Sequence, residues 1–254
     1  MILGEPGDRD TVARATGHQL RLEHDLNDDW SLLVGASHRD TLLTGFSSDA
    51  ETVASRQMLY VDGHSLSRQR RSRRYDAEHS VLRAELSGQF ETGALRHRIL
   101  IGGDFDQFEY DNYFTRFRPP AVSSVPSNEA GYVIDIDNPV YGQYPLPDTA
   151  VITNRVDTQR SFGFYVQDQI ELTDRLQIRI GGRYDNLRLE TDNSLSAVLS
   201  KRSRSRFSPQ AGIVYDLNAA ISLYAAYGAK RRAGPKRRNL ATCAARPFCL
   251  PRAC

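Results

Sequence analysis

The sequence predicts an all-β protein: an antiparallel segment of a transmembrane β-barrel, about eight meandering strands with short periplasmic turns and long extracellular loops. Three observations predict it. Apolar residues recur at the strand period of two. The breaks between paired runs are rich in Asn, Asp and Gly, which tolerate turn geometry. Short breaks also alternate with long polar connections, an asymmetry that a soluble sandwich does not need.

In chain order, the first hairpin alternates Leu20, Leu22 and Leu26 with Gln19, Arg21, Glu23 and Asp25. It turns at Asn27-Asp28-Asp29 and continues through Trp30, Leu32, Val34 and Ala36. The second sets Leu82, Ala84, Leu86 and Phe90 against Ile99, Ile101, Gly103 and Phe105, turning near Glu91-Thr92-Gly93-Ala94. The third is the clearest. Phe162, Phe164, Val166, Ile170 and Leu172 alternate with Ser161, Gly163, Tyr165, Gln167, Gln169 and Glu171, with Asp168 the polar exception on the apolar parity. After Thr173-Asp174-Arg175 the pattern resumes with Leu176, Ile178, Ile180, Gly182 and Tyr184. A helix needs apolar residues at i, i+3 and i+4, and neither run supplies them. The fourth hairpin pairs Phe207, Ala211, Ile213, Tyr215 and Leu217 with Ile221, Leu223, Ala225 and Tyr227, turning at Asn218-Ala219. Residues 43–66, 111–157 and 192–201 are expected to be long irregular loops, the largest carrying Pro119, Pro120, Pro126, Pro139, Pro145 and Pro147.

Alternation by itself also fits a soluble sheet with one wet face, which here would carry Arg21, Glu23, Arg83, Glu85, Arg179, Arg183 and Asp185. The loop asymmetry and the aromatics Trp30, Phe90, Tyr184, Tyr215 and Tyr227 at the rims favour a membrane barrel with aromatic girdles. The composition of the 254 residues, 40% hydrophobic and 25% charged, agrees with that choice: no run approaches the roughly 20 apolar residues of a membrane helix, while barrel strands keep a low average hydropathy. A net charge of +2, from 33 basic and 31 acidic residues, gives no reason to expect a nucleic-acid partner.

Phe164-Tyr165-Val166-Gln167-Asp168-Gln169, Leu172-Thr173 and Ile180-Gly181-Gly182-Arg183-Tyr184-Asp185 together resemble a hairpin of the TonB-dependent siderophore receptors. Phe207-Ser208-Pro209-Gln210-Ala211-Gly212-Ile213-Val214-Tyr215, followed by Ser222-Leu223-Tyr224-Ala225-Ala226-Tyr227-Gly228, resembles the next hairpin of that family. Ile101-Gly102-Gly103-Asp104-Phe105 is similar to a family strand that follows a tight periplasmic turn. The likeness covers about residues 10–228 and leans to the ferrichrome and ferric-hydroxamate branch. It implies a 22-stranded outer-membrane barrel around a plug domain, a ferric siderophore as transported ligand, and the TonB complex as energy-coupling partner. It implies no enzyme and no covalently bound cofactor.

Measured against that pattern, residues 1–228 are expected to be a partial barrel without plug or TonB box, and Met1-Ile2-Leu3-Gly4-Glu5-Pro6 has no basic and apolar signal-peptide pattern. Residues 229–254 lose the alternation and carry the chain's three cysteines, Cys243, Cys249 and Cys254. That tail is expected to be an aberrant or frame-shifted end, and the chain a piece unable to transport alone. The alternative function is a porin-like or adhesin-like outer-membrane barrel without a plug.

The candidate ligand contacts are the aromatics of the largest loop and its flanks: Tyr110, Tyr113, Phe114, Phe117, Tyr132, Tyr141 and Tyr144. Aromatic and hydrogen-bonding side chains suit a bulky, partly apolar chelate, although such residues also pack a loop on itself. The basic run Arg68-Gln69-Arg70-Arg71-Ser72-Arg73-Arg74 is expected to precede a strand at the outer end, solvated or against anionic lipopolysaccharide. No catalytic residue and no metal ligand set is expected. The cysteines are too widely spaced for a zinc knuckle, the six His are scattered, and Gly102-Gly103 lie inside an alternating strand rather than in a phosphate loop.

Overall fold

The computed structural model describes residues 3–8, 10–56, 59–120, 131–142 and 146–228. Eight long strands follow one another as an antiparallel meander: β1 (Val12–Asp25), β2 (Trp30–Ala50), β3 (Ser65–Thr92), β4 (Leu95–Phe117), β6 (Ala150–Thr173), β7 (Leu176–Asn193), β8 (Val198–Asn218) and β9 (Ile221–Gly228). A ninth, β5 (Val133–Asp135), lies in the largest loop and pairs with the start of β3. A 3-10 turn, Ala54–Arg56, is the sole helical element among the described residues, and no helix is long and apolar enough to cross a membrane.

The expected hairpins form in the expected places. At the first turn Asn27 Oδ1 accepts the amides of Asp29 and Trp30, both at 2.9 Å, which replaces the missing ladder bonds of the turn. The second is a two-residue turn at Gly93-Ala94, where Gly93 takes a φ of 64° that disfavours any side chain. At the fourth, Asn218 Oδ1 accepts the Ala220 amide at 2.9 Å.

The register places every predicted apolar run on one face. One cross-strand row runs Leu22, Val34, Ala84, Gly103, Phe164, Tyr184 and Phe207, and the next runs Leu32, Leu86, Ile101, Val166, Gly182 and Pro209. The opposite face carries Glu23, Leu33, Glu85, Gly102, Tyr165, Arg183 and Ser208 in a single row. The sheet's hollows open on this polar side. One of about 900 Å³ is lined by Arg83, Asp104, Asp106, Tyr165 and Arg183, so the polar face is the concave one. The apolar face stays open: Phe162, Phe164, Ile180, Phe207 and Tyr227 are all exposed, Phe207 at 64%. A soluble sheet would cover such a patch, whereas a membrane wall leaves it to lipid.

Three sequence expectations change. The strands run well past the apolar band, so the connections are 51–64 and 118–149 rather than 43–66 and 111–157. The expected loop at 192–201 is a four-residue turn in which Asn193 Oδ1 accepts the amides of Leu195 (3.1 Å) and Ser196 (3.3 Å). Alternation in polarity vanishes where both faces are wet, but backbone pairing continues. Finally, the basic run lies inside β3 rather than before it, and much of it is ion-paired. Arg68 meets Glu5 at 2.6 Å with both side chains almost fully buried; Arg70 meets Asp8 at 2.9 Å and Arg71 meets Asp49 at 2.8 Å. The expected tail, residues 229–254, and its cysteines lie outside the described residues.

Candidate functional site

Below its outer rim the concave face is knitted by charge. The Arg183 guanidinium grips Asp104 with both terminal nitrogens, at 2.7 and 2.8 Å, and donates through Nε to Asp185 at 2.6 Å. Its plane lies over the Tyr165 ring at 5.3 Å, and the Tyr165 hydroxyl donates to Glu85, which also pairs with Arg83. Glycines opposite make the room: a Cβ on Gly163 would sit 1.9 Å from the Arg183 guanidinium, and one on Gly102 would sit 2.5 Å from the Tyr165 ring. The network thus ties β3, β4, β6 and β7 into one polar surface.

Higher on the same face the character turns aromatic. Tyr110 on β4 lies 6.0 Å from Tyr75 on β3 and 6.3 Å from Phe108, whose ring meets His79 edge-on at 5.9 Å. His79 pairs in turn with Asp106, and Arg155 with Asp157 beside the patch at 2.9 Å.

The structure divides the sequence's candidates. Tyr110 and Phe114 share the concave parity of β4, whereas Tyr113 and Phe117 take the opposite parity, because side chains alternate across a strand. Phe117 meets Tyr132 at 5.7 Å. Tyr132 opens the segment 132–136, which is bonded to β3 through its carbonyl and the Arg68 amide at 2.7 Å. Tyr141 lies in the loop after β5, next to Gly142, whose amide donates to Glu5 at 3.0 Å. Tyr144 lies outside the described residues. Tyr75 and Phe108 were not among the sequence candidates. Carrying the period-two pattern of the apolar band outward along β3 and β4 would have found them on the face of Tyr110. Among the described residues, no group of three or more His, Cys, Asp or Glu side chains has a geometry that holds a metal ion.

A meander with a lipid-ready convex face, a charged concave face, short turns at one end and an elaborated loop layer at the other is the wall of an outer-membrane β-barrel. Residues 3–235 match the family described as "TonB dependent receptor-like, beta-barrel", and the chain belongs to that family, whose members are outer-membrane receptors and transporters. Among similar proteins, the metal-pseudopaline receptor CntO of Pseudomonas aeruginosa is 27% identical over 230 residues, 88% of this chain and 30% of the relative. The ferrioxamine B receptor of Salmonella typhimurium is 30% identical over 145 residues, 56% of this chain and 18% of its own length. The ferrichrome outer membrane transporter/phage receptor of Escherichia coli K12 is 24% identical over 221 residues, 81% of this chain and 28% of its own. In fold, the ferric-catecholate import receptor Fiu of E. coli K12 superposes with a TM-score of 0.66 at 19% identity, over 89% of this chain and 34% of that one. The chain therefore spans about a third or less of the relatives it matches.

Proposed function

We propose that the chain forms part of the wall of an outer-membrane receptor that takes up a metal chelate, a ferric siderophore, with energy from the TonB complex. The observation that carries this is the concave aromatic patch of Tyr75, Phe108 and Tyr110, with Phe114 beyond it on the same face and above a charged lumen surface. Large rings over a wet, hydrogen-bonding wall suit a bulky chelate that is partly apolar. Relatives named as receptors for metal-pseudopaline, ferrioxamine and ferric pyoverdine support the class. The finer reading, a ferric hydroxamate, has the motif resemblance and the ferrioxamine and ferrichrome relatives behind it. Of the sequence candidates, Tyr110 and Phe114 are the proposed lumen contacts, with Tyr132 and Tyr141 in the loop layer above.

The test is equilibrium binding of iron-loaded and iron-free siderophores to the full chain in detergent micelles. Saturable binding of the loaded form, weakened by Phe108→Ala with Tyr110→Ala, is expected. Equal retention of loaded and iron-free forms, or none of either, would sink the proposal.

A further inference from the structure

The outer half of the concave face is charge-imbalanced in a way its own residues do not settle. Its carboxylates are all engaged: Asp104 and Asp185 by Arg183, Asp106 by His79, Asp157 by Arg155 and Asp49 by Arg71. Several guanidiniums on the same face have no carboxylate partner among the described residues. Arg39 on β2 has none, and Arg73 on β3 donates only to the Ser47 hydroxyl, at 2.7 Å. Arg202 and Arg204 stand exposed on β8, where the ladder sets Leu189 and Leu187 directly opposite them. Residues two apart on one strand face lie roughly 7 Å from each other, so Arg202 and Arg204 repel across a short gap, and on β7 each faces a leucine rather than a carboxylate.

This column stands opposite the aromatic patch at one height. Phe108 and Arg202 occupy the same cross-strand row through Gln159 and Leu189. Three strand spacings separate them, about 14 Å, which a single chelate can bridge. We infer that the ligand is an anionic metal chelate, its negative groups held by Arg202 and Arg204 and its apolar body on Phe108 and Tyr110. Guanidiniums suit this task because they stay charged and present a planar fork to carboxylate or catecholate oxygens. The inference rests on the proposed uptake function and replaces its hydroxamate reading with an anionic chelate, since a neutral hydroxamate chelate gains nothing from this column.

The experiment compares two probes of similar size on the full chain in micelles: a trianionic ferric tris-catecholate and a neutral ferric trihydroxamate. The anionic chelate should bind at least about tenfold tighter, the minimum that two charge-assisted contacts supply. That preference should shrink as salt rises and disappear in the Arg202→Gln, Arg204→Gln double variant, while the neutral probe's affinity stays put. Equal affinities, a preference for the neutral probe, or a preference that survives the double variant overturns the inference and leaves the uptake reading standing. Binding of neither probe overturns both.

Discussion

At the residue scale, several glycines are gaps shaped for a particular neighbour. Trp30, the sole tryptophan, lies across Gly88 on the next strand and stacks on Phe90 at 6.5 Å with the planes 4° apart. A Cβ at Gly88 would fall 2.3 Å from the indole, and unlike a flexible side-chain tip a fused ring cannot bend away. Gly88→Ala should therefore tip Trp30 off the wall, at a cost of about 1–3 kcal/mol as in other overpacked sites. Because no second indole contributes, a shift of the emission maximum reports the displacement directly, and an unmoved maximum would refute it. The Arg68–Glu5 pair makes a complementary case, in which charge rather than volume is at stake. Both side chains are almost fully buried, 4% and 6% exposed, and Arg68 also donates to the carbonyls of Leu3 and Gly131. Truncation to Arg68→Ala strands a buried carboxylate, and such losses cost about 3–5 kcal/mol, whereas removing both charges costs far less. Limited proteolysis should nick residues 3–8 in Arg68→Ala, and Arg68→Met with Glu5→Gln should restore protection. Equal cleavage of the two variants would show that the charge is not what matters.

At the element scale, the loops form a small folded unit on top of the wall. Val133, Ile134 and Leu66 are buried apolar side chains, and all lie where β5 pairs with the start of β3. Next to them the turn is held by ionisable groups. His64 pairs with Asp137, and that hydrogen bond, then the Asp137 charge, raises the imidazole pKa above its ordinary value near ~6.5. A raised folded value stabilises fully below the ordinary one and is lost as pH climbs through the raised one. Asp62 is lowered by the Ser65 hydroxyl first and Asp135 by the Asn138 amide first, so their contribution is lost only as pH falls through the depressed values, below the usual carboxylate range. The unit should be tightest between those limits. Exchange of the Ile136 amide, which donates to the His64 carbonyl at 2.9 Å, should speed up beyond its intrinsic pH dependence above the His range, and His64→Gln should flatten the profile. A flat wild-type profile would count against the pairing. None of this unit was legible in the sequence, because Glu5, Asp8 and Arg68 are brought together from distant positions and β5 is only three residues long. The band from Phe162 to Tyr184 was legible, since one face there is apolar and period two survives. Beyond the band both faces are wet, and the sequence could not show that β4 continues as a strand through Tyr110 and Phe114. In sequence the candidate aromatics therefore form one loop surface, and only the continued strand gives the parity that separates Tyr110 from Tyr113.

At the scale of the whole molecule, the sheet has two bare margins. Among the described residues β1 and β9 each pair on one side only, and they do not pair with each other. Within lipid every unpaired backbone donor and acceptor costs several kcal/mol, which is why membrane barrels close. Closure of this chain on itself is opposed on two counts. The described β9 has 8 residues against 14 in β1, so the described residues alone do not fill the seam. An eight-stranded barrel is also only just wide enough for its own inward side chains, and the concave face would crowd Arg83, Glu85, Tyr165, Arg179, Arg183 and Arg206 into that interior. Micelles ease the constraint because water reaches the margins. Added alone to preformed phospholipid vesicles, the 254-residue chain should remain open to external protease and show no heat-dependent change in gel migration. A protease-resistant, heat-modifiable monomer would mean that β9 does reach β1. It would require the charged concave row to pack within a barrel of eight strands, against the geometry of its arginines.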